Sequence, residues 1–240
     1  MPLIGSGLSL PMPAGVGVST ASSFSPLDLS PALWLDASDE STLSGPGGGA
    51  VSQWDDKSGN GNDATQATSA NQPTSGTRTL NGLNVLDCDV LDGLQADFGT
   101  DYSQPNTIFV VAQLDDLDGS QTFFDGISGA KRHIGQMYTS SDWRMDAGVN
   151  LFGGTPDTDA HLLRFVFNTT NSTLHVDGVS TLSGNAGTNV LDGFTFGTNY
   201  AINFGIDGIL AEAIVVDGTL TAGEISLVET YLADKWGITL

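Results

Sequence analysis

Basic side chains are scarce in this chain: seven Lys and Arg stand against 28 Asp and Glu over 240 residues, a net charge of −21. That balance excludes nucleic acid and anionic membranes as partners, because both are bound through Lys and Arg. The one local basic pair, Lys131-Arg132, sits in a loop or at a strand end and makes no patch. Cysteine is limited to Cys88, which excludes an intramolecular disulfide framework and reads, within Val85-Leu-Asp-Cys-Asp-Val90, as a small buried residue on a strand. No run approaches the about 18 apolar residues that span a bilayer. Met1-Pro-Leu-Ile-Gly-Ser-Gly-Leu-Ser-Leu-Pro-Met-Pro13 lacks the positive start and long hydrophobic centre of a secretory signal. Glutamate is confined to Glu40, Glu212, Glu224 and Glu229, and the three histidines, His133, His161 and His175, lack zinc spacing.

What is present suffices for a core. Apolar residues make up 39% of the chain and aromatics 8%, consistent with one large β-sandwich plus an arm. Residues 1–29 are rich in Gly, Ser and Pro, yet carry Leu3, Ile4, Leu8, Leu10, Met12 and Phe24. They read as an extended arm that packs onto the sandwich or onto a neighbouring subunit. From residue 30 to 240, short apolar or alternating segments are separated by Gly, Asn, Asp and Ser turns, the pattern of an antiparallel sandwich. Strands are expected near 32–36, 51–55, 84–90, 107–114, 121–126, 132–138, 143–149, 161–168, 173–177, 193–198 and 206–216. Residues 65–80 read as a polar surface loop.

The most specific stretch lies at the end. Ile209 to Val216 is apolar except for Glu212, as in a strand covered on both faces, and it stops at Asp217-Gly218. Thr221-Ala-Gly-Glu224 is a capping box, Ile225, Val228 and Leu232 follow at helical spacing, and Gly237 ends the helix. This segment resembles the carboxy-terminal end of the concanavalin A-like lectin/glucanase superfamily in its LamG-like form, where a G-x-(I/L)-A-E strand leads to a helix ending Y-L-x-x-K-W-G, here Tyr231-Leu-Ala-Asp-Lys-Trp-Gly237. Ala32-Leu-Trp-Leu-Asp-Ala37 is similar to the family's opening strand. Gln53-Trp-Asp-Asp-Lys-Ser-Gly-Asn-Gly-Asn-Asp-Ala64 is similar to its W-x-D-x-S-G-N-G-x-x-A turn, and Leu174-His-Val-Asp-Gly178 to its L-x-V-D-G hairpin. The resemblance implies an all-β, two-sheet antiparallel jelly-roll sandwich with a short C-terminal helix. Similar domains occur in structural proteins of tailed phages, and Trp34, Trp54 and Trp236 fall in the family's packing pattern.

The chemistry is sparser. Glucanases of the superfamily carry E-x-D-x-E on one strand, which sets two carboxyls on the same face. This chain has no such motif, so no catalytic residue is assigned and no enzyme is expected. Glu212, the one acid on an apolar strand, reads as a buried carboxylate tied to backbone amides or to an Arg such as Arg164. No cofactor is implied. Calcium is the ion that Asp115, Asp116 and Asp118 could hold, and Asp87, Asp89 and Asp92 form a second oxygen-rich group, though Asp-Gly turns explain the first without an ion. Glycan binding calls for exposed aromatics beside hydroxyl-holding polar groups. Tyr138, Asp142 and Trp143 offer these at one loop, and Tyr200 beside Asn199 and Asn203 at another, while Trp143 also reads as core.

Three functions fit. The first is a non-enzymatic virion protein of a tailed bacteriophage, a head decoration, fibre or tail component, located in the virion and released by host lysis. Its arm would contact other virion proteins in a homo-oligomer or lattice. The alternatives are a carbohydrate-binding adhesin or receptor-binding protein engaging cell-surface glycans, and a glycoside hydrolase.

Overall fold

The computed structural model describes residues 24–45, 49–139 and 141–240. Along them run β1 (Leu33–Asp36), β2 (Leu43–Ser44), β3 (Gln53–Trp54), β4 (Ala64–Thr65), β5 (Thr74–Leu80), β6 (Leu83–Cys88), β7 (Leu94–Tyr102) and β8 (Asn106–Leu114). There follow β9 (Gln121–Asp125), β10 (Ile134–Tyr138), β11 (Asp142–Asp146), β12 (Asn150–Gly153), β13 (Ala160–Phe167), β14 (Ser172–Val176), β15 (Val179–Gly184), β16 (Leu191–Phe196), β17 (Gly208–Asp217) and the helix α1 (Ala222–Trp236). One antiparallel sheet has the order β15-β14-β13-β8-β17-β6-β5, with β1 also paired to β17. The second has the order β12-β11-β10-β9-β16-β7-β4-β3-β2. Together they form a two-sheet sandwich of jelly-roll type.

Aromatic side chains fill the space between the sheets. Phe124 meets Phe165 edge-on at 4.9 Å and stacks on Phe194 at 5.3 Å, and Trp54 stacks on Phe196 at 5.6 Å. Each large side chain fully buried this way stabilises the fold by roughly 1.5–3 kcal/mol. A second apolar layer lies behind the first sheet. There Trp34, Phe109, Val111, Ile214 and Val216 pack with Val228, Leu232 and Trp236 of α1. β17 therefore buries both its faces, Leu210, Ala213 and Val215 toward the other sheet and Ile209, Ile214 and Val216 toward the helix, which is why its sequence is apolar from Ile209 to Val216 save for Glu212.

The helix starts and stops where its sequence says. Thr221 accepts a hydrogen bond from the Glu224 amide at 3.3 Å, and the Glu224 carboxylate accepts one from the Thr221 amide at 2.8 Å. Gly237 closes the helix at φ 73°, a left-handed conformation that favours glycine. What fixes the helix to the sheet is Glu212. Its carboxylate accepts from Trp34 Nε1 at 2.7 Å, Trp236 Nε1 at 2.8 Å, Tyr231 OH at 2.9 Å and Lys235 Nζ at 2.7 Å. Burial pushes the Glu212 pKa up and Lys235 opposes that. Four donors converge on this side chain, so it holds as the carboxylate, the acceptor-only form. Glu212 is thus a structural hub, tied to two indoles, a phenol and an ammonium. Arg164 instead pairs with Glu229 of the helix at 2.8 Å, so the expected link from Glu212 to backbone amides or Arg164 is corrected.

The Gln53–Ala64 element acts as a clamp on β1. Asp56 accepts from the amides of Trp34 at 3.0 Å and Ser58 at 2.8 Å, and Asn62 Nδ2 donates to the Ala32 carbonyl at 2.8 Å. Cys88 is buried on β6, and burial drives its thiol pKa far up, leaving it an inert packing group. Phe24 packs edge-on against Tyr231 at 5.9 Å, while Leu3, Ile4, Leu8, Leu10 and Met12 lie outside the described residues. The 65–80 loop is corrected, since Thr74–Leu80 is the edge strand β5, whose polar sequence reflects the largely exposed edge it occupies. β2, β4, β7, β12 and β15 were also unexpected, and the strand near 51–55 shortens to Gln53–Trp54.

Candidate functional site

The outward face of the second sheet carries a polar band set by strand alternation. On β11, Trp143 and Met145 enter the core, which turns Arg144 and Asp146 outward. On β10, Met137 points in while Gln136 and Tyr138 line the outer face. Arg144 ties four strands together. Its Nε donates to Asn150 Oδ1 at 2.7 Å, Nη1 to Gln136 Oε1 at 2.7 Å and Nη2 to Asp146 Oδ2 at 2.6 Å, and Gln136 Nε2 continues the chain to Thr122 Oγ1 at 3.0 Å. The guanidinium lies 5.6 Å from the Tyr138 ring, and Tyr138 packs against Phe152 at 5.0 Å.

A cavity of about 210 Å³ opens over this band, lined by Thr122, Asp125, Arg132, Gln136, Tyr138, Arg144, Asn199 and Phe204. Asp125 forms its floor at the end of β9. Its Oδ1 accepts from the Gly126 amide at 2.8 Å and lies 3.4 Å from Arg132 Nε, and its Oδ2 accepts from the Tyr200 amide at 3.2 Å. Burial raises the Asp125 pKa to about 6, against the opposing pull of Arg132 and the two amides. Arg132 stacks over the Tyr200 ring at 5.1 Å. The Tyr200 loop is held by Asn199 and Asn203, which bond each other at 2.8 and 3.0 Å, and by Gln95 Nε2, which donates to the Tyr200 carbonyl at 3.1 Å. Tyr138, Tyr200 and Phe204 remain exposed.

Of the residues picked from sequence for glycan contact, Tyr138 lines the cavity and Tyr200 flanks it through Arg132. Asp142 begins β11 and accepts from the Ser141 hydroxyl at 2.8 Å outside the cavity lining. Trp143 takes the core side, 2% exposed, against Phe123 at 5.8 Å and His161 at 5.7 Å, so it offers no face to a ligand. Asp125, Arg132 and Arg144 were not singled out for this role. The outward alternation of Arg144 was a usable signal, whereas nothing local joins Asp125 to Tyr200, which lie 75 positions apart. The calcium candidates separate: Asp115 forms a two-pronged pair with Arg78 at 2.6 and 2.7 Å, and Asp116 Oδ1 accepts from the Asp118 amide and Gln121 Nε2, both at 2.9 Å. Among the described residues no group of three or more His, Cys, Asp or Glu gathers to hold a metal ion, and no helix is long and apolar enough to cross a membrane.

No protein-family model matches the chain, and no curated protein matches it by sequence. Its fold is that of several solved structures. A Trypanosoma rangeli sialidase in complex with sialic acid aligns at 16% identity with a TM-score of 0.60, over 85% of this chain and 33% of that one. Domain 4 of AbnA, a GH43 extracellular arabinanase from Geobacillus stearothermophilus, in complex with arabinotriose, aligns at 14% identity with a TM-score of 0.57, over 82% of this chain and 97% of that one. The receptor-binding domain of botulinum neurotoxin D aligns at 15% identity with a TM-score of 0.56, over 89% of this chain and 57% of that one. The chain spans about a third of the length of the sialidases it matches. At such identities the likeness shows a shared β-sandwich. None of the three is a phage protein, and two are structures with bound sugars. The expectation of a tailed-phage virion component is overturned on that ground.

Proposed function

We propose that this chain is a carbohydrate-binding module, a LamG-like member of the concanavalin A-like superfamily, with its ligand site in the cavity over β9, β10 and β11. The observation that carries this reading is the locked polar floor, Arg144 with Gln136, Thr122 and Asn150, lying beside the exposed Tyr138 ring. Such a floor presents fixed donors and acceptors to sugar hydroxyls while the ring covers the apolar face of the pyranose. The sugars present in the sialidase and arabinanase-domain structures support the same reading. The reading is one of binding without bond cleavage, and it is supported by a cavity lining that offers one carboxyl, Asp125, where most glycoside hydrolases use a pair.

A glycan array followed by calorimetry on the best ligand tests this. Tyr138→Ala is expected to weaken binding about tenfold, the effect of losing an aromatic contact of roughly 1.5 kcal/mol. An array without any bound glycan, or an affinity indifferent to Tyr138→Ala, would refute the assignment.

A further inference from the structure

Cations in this chain are few, and nearly all are spent on internal partners. Among the described residues, Lys57 meets Asp36 at 2.9 Å and Asp39 at 3.0 Å, Arg78 grips Asp115, Lys131 meets Asp101 at 2.7 Å, Arg164 meets Glu229 at 2.8 Å, and Lys235 meets Asp36 at 2.6 Å and Glu212 at 2.7 Å. Arg144 has all three of its nitrogens engaged, by Asn150, Gln136 and Asp146. Arg132 is the exception. Its one ion-pair or hydrogen-bond partner among the described residues is Asp125, at 3.4 Å from Nε, and that carboxylate is already served by two backbone amides. A guanidinium carries five N–H donors in a rigid fork, so the two terminal nitrogens of Arg132 are left to meet something else. The side chain lines the cavity, and the Tyr200 ring 5.1 Å away holds its plane.

We propose that Arg132 reads a carboxylate on the ligand, so that the preferred glycan carries a uronic acid or another carboxylate-bearing sugar. This rests on the carbohydrate-binding reading above and narrows it. The planar fork matches a carboxylate with two parallel N–H···O bonds, a geometry a neutral hydroxyl does not fill. The net charge of −21 does not forbid an anionic ligand. Exposed charges beyond about 8 Å are screened at physiological salt, so the charges within the cavity decide. There Arg144 is balanced by Asp146, and the acid beneath Arg132 is buried and shared with amides. The site is preorganised as well, since Asp125 and Tyr200 fix the fork before any ligand arrives.

The experiment compares the full chain binding oligogalacturonate, oligoglucuronate and oligomannuronate, each against its methyl ester, which removes the charge and keeps the ring. At least one free acid is expected to bind tenfold or more tighter than its ester, and to weaken several-fold from 50 to 500 mM salt. Arg132→Gln should bring the affinities for acid and ester together, and a far-UV circular dichroism spectrum and melting temperature matching the unaltered protein show that the variant is folded. Arg132→Lys, charged but without the fork, should restore the preference only in part. Equal binding of acid and ester by the unaltered protein, or a preference that survives Arg132→Gln, would overturn the proposal and leave carbohydrate binding standing. Competition by poly-glutamate as strong as by the uronates would overturn the sugar specificity. Failure of every acid, ester and arrayed neutral glycan to bind would overturn both readings.

Discussion

Replacing Glu212 with Ala removes the acceptor on which four donors converge, at 2.7 to 2.9 Å. The indoles of Trp34 and Trp236 are buried, so both N–H groups are left unsatisfied, at roughly 1–3 kcal/mol each. Lys235 keeps Asp36 at 2.6 Å, and Tyr231 is only partly buried, so these two recover some of their loss from Asp36 and from solvent. The sum falls at about 3–5 kcal/mol, the range for breaking a buried charge pair by removing one partner. For a domain of this size about 1 kcal/mol shifts the melting temperature by roughly 2–4 °C, so a drop of roughly 6–20 °C is expected. Thermal melts followed by far-UV circular dichroism measure the drop, and tryptophan emission reports whether the Trp34 and Trp236 indoles change surroundings. A shift below about 2 °C would refute the hub assignment. Glu212→Gln should fall between the two, because the amide keeps one acceptor but points N–H groups at donors.

Two further predictions concern the interior. His133 is buried, stacked on Phe167 at 4.2 Å and bonded through Nε2 to the Asn189 carbonyl at 2.9 Å, and burial lowers its pKa to about 4. The unfolded chain takes up this proton near pH 6.5 and the folded chain only near 4, so stability falls as pH drops through that window, by up to about 3 kcal/mol. His133→Phe should therefore reduce the loss of melting temperature between pH 7 and 4.5, and identical losses in both proteins would contradict this. At Gly135 an added Cβ would collide with the Phe124 ring and lie 2.7 Å from Phe165 Cζ, so Gly135→Ala should destabilise by about 1–3 kcal/mol in urea titrations. An unchanged midpoint would show that the inter-sheet core is looser than these contacts indicate.

Legibility in the sequence followed how local each constraint is. The Thr221–Gly237 helix and the doubly buried β17 were readable because capping, spacing and burial all act within a few residues. The clamp around Asp56 was readable as a motif, although its purpose, holding β1 through the Trp34 amide and the Ala32 carbonyl, appears only in three dimensions. β5 and β15 were missed because edge strands with exposed faces show no apolar alternation. The cavity was half visible. Tyr138 and Tyr200 stood out as aromatics in polar loops, but Asp125 closes a fully buried strand and meets Arg132 and Tyr200 through pairing of β9 with β10 and β16. Trp143 was split between two roles, and its place opposite outward-facing Arg144 settles it as core.

The insertion of β17 between β8 and β6 bears on how the molecule is made. More than ninety positions of chain separate the ends of β8 and the start of β17, so a growing polypeptide leaves the ribosome with this sheet as two unjoined halves, each showing a raw hydrogen-bonding edge. Only when residues 208–217 emerge do the halves zip together, and only then does the helix have a surface to seal. Synthesis that stalls before that point leaves a sticky fragment rather than a smaller domain, a hazard that favours swift translation through residues 208–217 or a chaperone at the exit tunnel.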